Sequence, residues 1–287
     1  MKQGLLFLFA LVFSFSLFAD SSVWKVSDSK HTIYIGGTIH LLRPSDYPLP
    51  KEFDCAFEHS DYIVLETDLS ALSSGRFAAR MAKSMFMPEK RSVCSVLKPS
   101  TCEALYKYLD REHYPRPMFE RLRPWGVMLT LTQLQLEKYG IDQNGVDAYF
   151  ARKAAEQGKP QRFLETPEEQ ISIMTGIGEG EEDAMILQTL KEMAMIPGMM
   201  EWLTEEWRKG RTERIEAELV EAMKSESPST YRKVLSERNE RWLPKIMAML
   251  EEGKTGFVLV GMMHLIGSDG VLEQLRRDGY AVEPLHE

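Results

Sequence analysis

Two histidines in this chain stand in the same local pattern. Gly37-Thr38-Ile39-His40-Leu41 and Gly261-Met262-Met263-His264-Leu265 both read G-x-x-H-L, and each follows a short apolar run. With six His and 19 Gly in 287 residues, fewer than one chance G-x-x-H match is expected, so the repetition carries information. Ligands of open α/β sheets collect beyond the carboxyl ends of the strands, where glycine lets the backbone bend closely. Two imidazoles delivered from two strand ends could therefore converge on one divalent ion.

Carboxylates arrive in the same way. Ile63-Val64-Leu65-Glu66 and Phe163-Leu164-Glu165 each place a Glu directly after an apolar strand-like run. Burial there without a cation is costly, so a metal, an Arg or a proton must compensate. A strand-end cap or salt bridge is the plainer alternative for each. The stretch from Thr230 to Leu250 carries a helical stripe of Leu235, Asn239, Trp242, Ile246 and Met249, interrupted by one polar residue. An Asn on an apolar face hydrogen-bonds something specific, either a buried backbone group or a site. Arg238 stands beside it and could neutralise Glu66 or Glu165, or bind an anionic substrate group.

The elements that must position these residues read as an α/β protein. Thr32 to Gly37, Tyr62 to Leu65, Arg162 to Leu164 and Gly256 to Val260 have the length, branching and punctuation of buried strands. Ser22 to Ser27 alternates and is expected to form an edge hairpin with Thr32 to Ile35, and Tyr280 to Glu283 to close the sheet. Helical spacing marks Arg76 to Met87, Ser100 to Glu112, Pro124 to Tyr139 and the segment from Val146 to Ala154, stopped by Gly158 and Pro160. A Met-rich helical block follows, from about 167 to 250. The order implies a central mixed β-sheet covered by helices, with a large helical insertion. Because their strands are joined by only about two dozen residues, Glu66 is expected beside His40.

The first 19 residues read as a cleavable signal peptide: one Lys, an uncharged apolar run from Gly4 and Ala19 at the cut, with an uncleaved anchor as the alternative. Residues 20–287 then form a single domain, periplasmic or secreted, that needs no membrane after cleavage. The chain carries 35 basic and 43 acidic residues, an acidic balance that argues against nucleic-acid binding. Cys55, Cys94 and Cys102 form no C-x-x-C pair. In an oxidising compartment Cys94 with Cys102 is the nearest pairing, and three unpaired thiols are the alternative. Gly253-Lys254-Thr255 lacks the earlier glycine of a phosphate-binding loop, and neither H-E-x-x-H nor G-x-S-x-G occurs.

The segments GGTIHLL, YIVLET, GVDAYFARKAAEQGK, FLETPEEQ, ERNERW and VGMMHLIGSDGVLEQLRRDGY resemble, in order, successive blocks of the TraB/GumN family, which includes the Tiki proteases. The resemblance implies a sheet-based α/β fold shared with erythromycin-esterase-like proteins and, as in Tiki members, metal-dependent peptidase activity. It puts the family's site residues at His40, His264 and Glu66 as metal ligands, and adds Glu165, Arg238 and Asn239 as catalytic residues alongside Glu66. Two His with a carboxylate suit Mn, Co, Zn or Fe. The expected partner is a peptide or small-molecule substrate. The competing readings are a noncatalytic protein that sequesters a peptide or small ligand in the same cleft, and an esterase-like hydrolase using His40 as a metal-free general base.

Overall fold

The computed structural model describes residues 21–141 and 143–286; the expected signal peptide lies outside them. A six-stranded sheet forms the centre: β1 (Val23–Ser27), β2 (Thr32–Thr38), β4 (Tyr62–Leu65), β6 (Gln161–Phe163), β7 (Gly256–Gly261) and β8 (Ala281–Pro284), in the order β6-β4-β7-β2-β1-β8. A two-stranded ribbon joins β3 (Leu41–Leu42) to β5 (Gln143–Asn144). The four strands β6, β4, β7 and β2 run parallel, whereas β1 is antiparallel to both of its neighbours. The fold is thus the α/β class with a mixed sheet. Its strands fall within about one residue of the expected runs.

Two expectations need correction. The strands leading to His40 and Glu66 are not neighbours, because β7 inserts between them. The reason lies in composition: Phe257 to Val260 are fully buried, and a strand that is apolar on both faces takes the interior of a parallel sheet. The β1–β2 hairpin forms, with Val23 opposite Gly36, but β8 covers its outer side and is itself the edge.

Helices pack on the sheet through aromatic side chains. Phe53 of the helix Lys51–Glu58 and Phe150 of the helix Val146–Gln157 meet Phe257 of β7, and Trp207 packs tilted against Phe53. Trp207 also donates its indole N–H to the carbonyl of Gly37 at 2.7 Å, which ties the helical block to the strand carrying the first G-x-x-H. That block runs as successive helices from Pro167 to Glu251. Its last helix, Glu237–Glu251, buries the expected stripe of Asn239, Trp242, Ile246 and Met249 and follows a π-helical turn at Arg232–Ser236. Such turns shift the facing of a helix and are frequent at functional sites. Here Arg238 and Asn239 are both buried on adjacent positions. Cys94 and Cys102 are disulfide-bonded, with Cα atoms 5.3 Å apart, and Cys55 lies outside the bridge. Among the described residues, no helix is long and apolar enough to cross a membrane.

Candidate functional site

The carboxyl ends of β2, β7, β4 and β6 deliver, in spatial order, His40, His264, Glu66 and Glu165. Arg238 reaches them from the helix Glu237–Glu251 and uses all three nitrogens. Nε donates to Glu165 Oε1 at 2.9 Å, and Nη2 donates to Glu165 Oε2 at 2.9 Å and to Glu66 Oε2 at 2.6 Å. Nη1 donates to the carbonyl of Val234 at 3.3 Å and lies 2.9 Å from His264 Nε2. A guanidinium has no acceptor, so His264 Nε2 must accept there. The ring proton is then on Nδ1, 2.7 Å from Asn239 Oδ1. Asn239 cannot be turned the other way, because its Nδ2 donates to the carbonyls of His264 and Asp269 at 3.1 and 2.9 Å. One tautomer of His264 is imposed by the network around it.

Glu165 is 4% exposed and fully engaged: besides Arg238 it accepts from Trp242 Nε1 at 3.0 Å and Gln170 Nε2 at 2.7 Å. Its backbone is fixed by the next residues, where Thr166-Pro167-Glu168-Glu169 forms a capping box opening the helix Pro167–Thr175. Glu66 differs in being bound on one oxygen by Arg238 and on the other by the backbone N–H of Gly261, at 2.8 Å.

Electrostatics follow from this wiring. Burial pushes Glu66 up, but Arg238, His264, His40 and the Gly261 N–H together outweigh it and hold the carboxyl well below its ordinary range. Burial, assisted by the Arg238 charge, depresses His264 to about 3, so this imidazole stays neutral. His40 is the opposite case. Asp147, 3.2 Å from its Nδ1, raises it to about 9 against the effect of desolvation. Its side chain remains 60% exposed, which leaves this imidazole reachable from solvent.

Where Gly261 lacks a side chain, a hollow no larger than a methyl group is left between Glu66, His40 and His264. A Cβ on this glycine would lie 3.3 Å from Glu66 Oε1, 3.6 Å from His40 Nε2 and 3.6 Å from His264 Cδ2. Glu66 and His40 therefore do face common space, although across the intervening β7 rather than from adjacent strands. Two buried hydroxyls at the same strand ends, Thr38 Oγ1 and Thr67 Oγ1, have no hydrogen-bond partner among the described residues. Donor types suited to a divalent cation thus line the hollow, but His264 Nε2 is already engaged by Arg238. Among the described residues, no group of three His, Cys, Asp or Glu side chains stands arranged to hold an ion.

The sequence-derived residues His40, His264, Glu66, Glu165, Arg238 and Asn239 all meet at the carboxyl ends of the parallel strands. Asp147, Trp242 and Gln170 join them and were not anticipated as site residues. Asp147 lies in the first turn of a helix, where an acid is expected for the helix dipole alone, so spacing gave it no distinguishing mark. Trp242 sat in the apolar stripe, where its N–H was invisible.

The profile of the TraB/PrgY/gumN family matches residues 22–284. The chain is 24% identical to Metalloprotease TIKI1 of Danio rerio over 93% of this chain and 65% of that protein. It is likewise 24% identical to Metalloprotease TIKI1 of Homo sapiens, over 93% and 64% respectively, and 23% identical to Metalloprotease TIKI2 of Danio rerio, over 92% and 61%. The chain spans under two thirds of the length of these relatives. No solved structure matches it. The family profile covers nearly the whole described chain, including both G-x-x-H segments, and the chain therefore belongs to the TraB/PrgY/gumN family.

Proposed function

We propose that this protein is an exported metal-dependent hydrolase acting on peptide bonds, with its reactive centre in the Gly261 hollow. The observation that carries the reading is the approach of His40 Nε2, Glu66 Oε1 and the His264 ring edge to one point beside a residue without a side chain. The names of the relatives support the hydrolytic class. The disulfide Cys94–Cys102 supports an oxidising destination, periplasmic or secreted, because such bonds persist outside the reducing cytosol.

In this reading His40 Nε2 and Glu66 Oε1 would hold the ion, with His264, whose Nε2 Arg238 engages, as the wall beside it. Zn, Mn, Co and Fe all suit this donor set. Such an ion supplies Lewis acidity, making water acidic enough to attack near neutral pH and polarising a carbonyl. The protein's own groups do the rest. Glu66 stays ionised and is too weak a base to collect a proton at neutral pH, so its role is to bind and orient rather than to shuttle protons. Arg238 fixes Glu66 in place and shares its charge with Glu165, which supports the site from behind. Asn239 keeps His264 in a single tautomer, with the proton on Nδ1 and the lone pair on Nε2.

The experiment is metal analysis and peptide hydrolysis of the mature protein alongside His40→Ala, His264→Ala, Glu66→Gln and Glu165→Gln. Glu66→Gln should abolish turnover and weaken metal binding, whereas Glu165→Gln should lose about 10- to 100-fold. A folded protein with no affinity for any of the four metals would sink the reading.

A further inference from the structure

We infer that Asp147 is the positioning residue of His40, holding the imidazole with its Nδ1 proton inward and Nε2 turned to the Gly261 hollow. The inference rests on the proposed reading of that hollow, and it supplies the partner for the site's exposed imidazole. Three contacts carry it. The carboxylate stands 3.2 Å from His40 Nδ1 as an ion pair, and its buried Oδ1 has no hydrogen-bond partner among the described residues, so the imidazole is the polar group it faces. The backbone beneath Asp147 is tied to the backbone of His40: Gly145 N–H donates to the carbonyl of His40 at 2.9 Å and Val146 N–H to that of Ile39 at 3.1 Å. Next to these, the β3–β5 ribbon pairs Leu41 with Asn144. Finally, the two segments touch so closely that a Cβ on Gly145 would lie 1.9 Å from the oxygen of Ile39 and 2.3 Å from the carbonyl carbon of His40. Only glycine fits there, so the separation of Asp147 and His40 is set by paired backbones rather than by flexible side chains.

A plainer role is available to Asp147, which lies in the first turn of the helix Val146–Gln157 and there favours the helix dipole. That role does not account for the direction of the carboxylate. An acid serving only the helix would aim at the free N–H groups of its own turn, whereas Asp147 Oδ1 takes no backbone donor and faces an imidazole on another segment. A carboxylate accepting from Nδ1–H fixes the ring orientation and tautomer and makes Nε2 the more basic donor, as in carboxylate–histidine pairs that support metals.

The test uses the mature, metal-free protein with 15N-labelled histidine, the His40 signals being assigned with His40→Gln. Above its ionisation, neutral His40 should carry its proton on Nδ1, and Asp147→Asn should lower the population of that tautomer. Mn2+ alone, titrated by calorimetry, should bind Asp147→Asn about 10- to 100-fold more weakly while the thermal midpoint hardly moves. Wild-type His40 with its neutral proton on Nε2, or a tautomer indifferent to Asp147→Asn, overturns the inference. The wild-type spectrum decides this even if the variant fails to fold. If the wild type binds no Mn2+, the metal reading falls while the spectra still decide the role of Asp147.

Discussion

The site has two halves built on opposite terms. On the buried side, Arg238, Glu165, Trp242, Asn239 and His264 leave hardly a donor or acceptor unspent, and every distance is set by more than one contact. On the open side, His40 has one nitrogen in an ion-pair approach to Asp147 and one facing the hollow, Glu66 offers an oxygen held by a single N–H, and Gly261 carries no side chain. A satisfied network rigidifies, and an unsatisfied one binds. The difference teaches that the two G-x-x-H copies, identical in sequence, are not equivalent in chemistry. His264 belongs to the wall and His40 to the rim.

The largest effect should come from the wall. Arg238→Met leaves Glu66 without its cation and Glu165 with only the partly exposed Arg241, 3.5 Å away, and breaking a buried pair by removing one partner costs about 3–5 kcal/mol. His40→Ala removes an exposed ring paired with one carboxylate and should cost clearly less stability than Arg238→Met, yet abolish metal binding. Urea unfolding of both variants checks the contrast. Equal losses of stability would break the distinction between wall and rim.

Next in size is the hollow. Gly261→Ala adds one methyl 3.3 Å from Glu66 Oε1, tight enough that the carboxylate must shift slightly, and 3.6 Å from His40 and His264. The fold should survive, and metal affinity and turnover should fall by at least about tenfold, because the space the reaction needs is filled. Unchanged kinetics in a well-folded Gly261→Ala protein would move the reactive centre elsewhere.

Much of this was legible in the sequence because strand-end positions and helical stripes report burial directly. His40, Glu66, Glu165 and His264 each follow an apolar run, and Asn239 broke a stripe that is buried as expected. What could not be read is any relation set by sheet order. Nothing in Tyr62 to Glu66 announces that a strand nearly 200 residues later will separate it from β2, so adjacency misled while convergence held. Asp147 was hidden for a similar reason, since its partner is fixed by the ribbon of β3 with β5, whose two-residue strands carry no periodicity.

The rim also makes a pH prediction. His40 must lose a proton before Nε2 can bind a cation, and Asp147 raises it to about 9. Below that pH the proton competes, so metal affinity should rise about tenfold per pH unit between pH 7 and 8. Calorimetry in two buffers of different ionisation enthalpy counts the released proton. Affinity flat across that range would mean His40 is not a ligand.

The wall predicts the smallest effect, in the opposite sense of protonation. Burial, with Arg238, holds folded His264 at about 3 against an ordinary value of 6.5. Between those values the unfolded chain takes a proton that the folded protein refuses, so stability is full above about pH 6.5 and declines as pH falls toward 3. One such group contributes a slope of at most roughly 1.4 kcal/mol per pH unit. Glu66 has the same sign, since its folded value is depressed, but its contribution is lost only below its ordinary 4.5. The interval from pH 6 to 5 therefore isolates the histidine. Urea unfolding there should show a shallower slope for His264→Gln, which keeps a hydrogen-bonding side chain but does not titrate, than for the wild type. Identical slopes would show that His264 is free to take up a proton in the folded protein, and would return it from the wall to the rim.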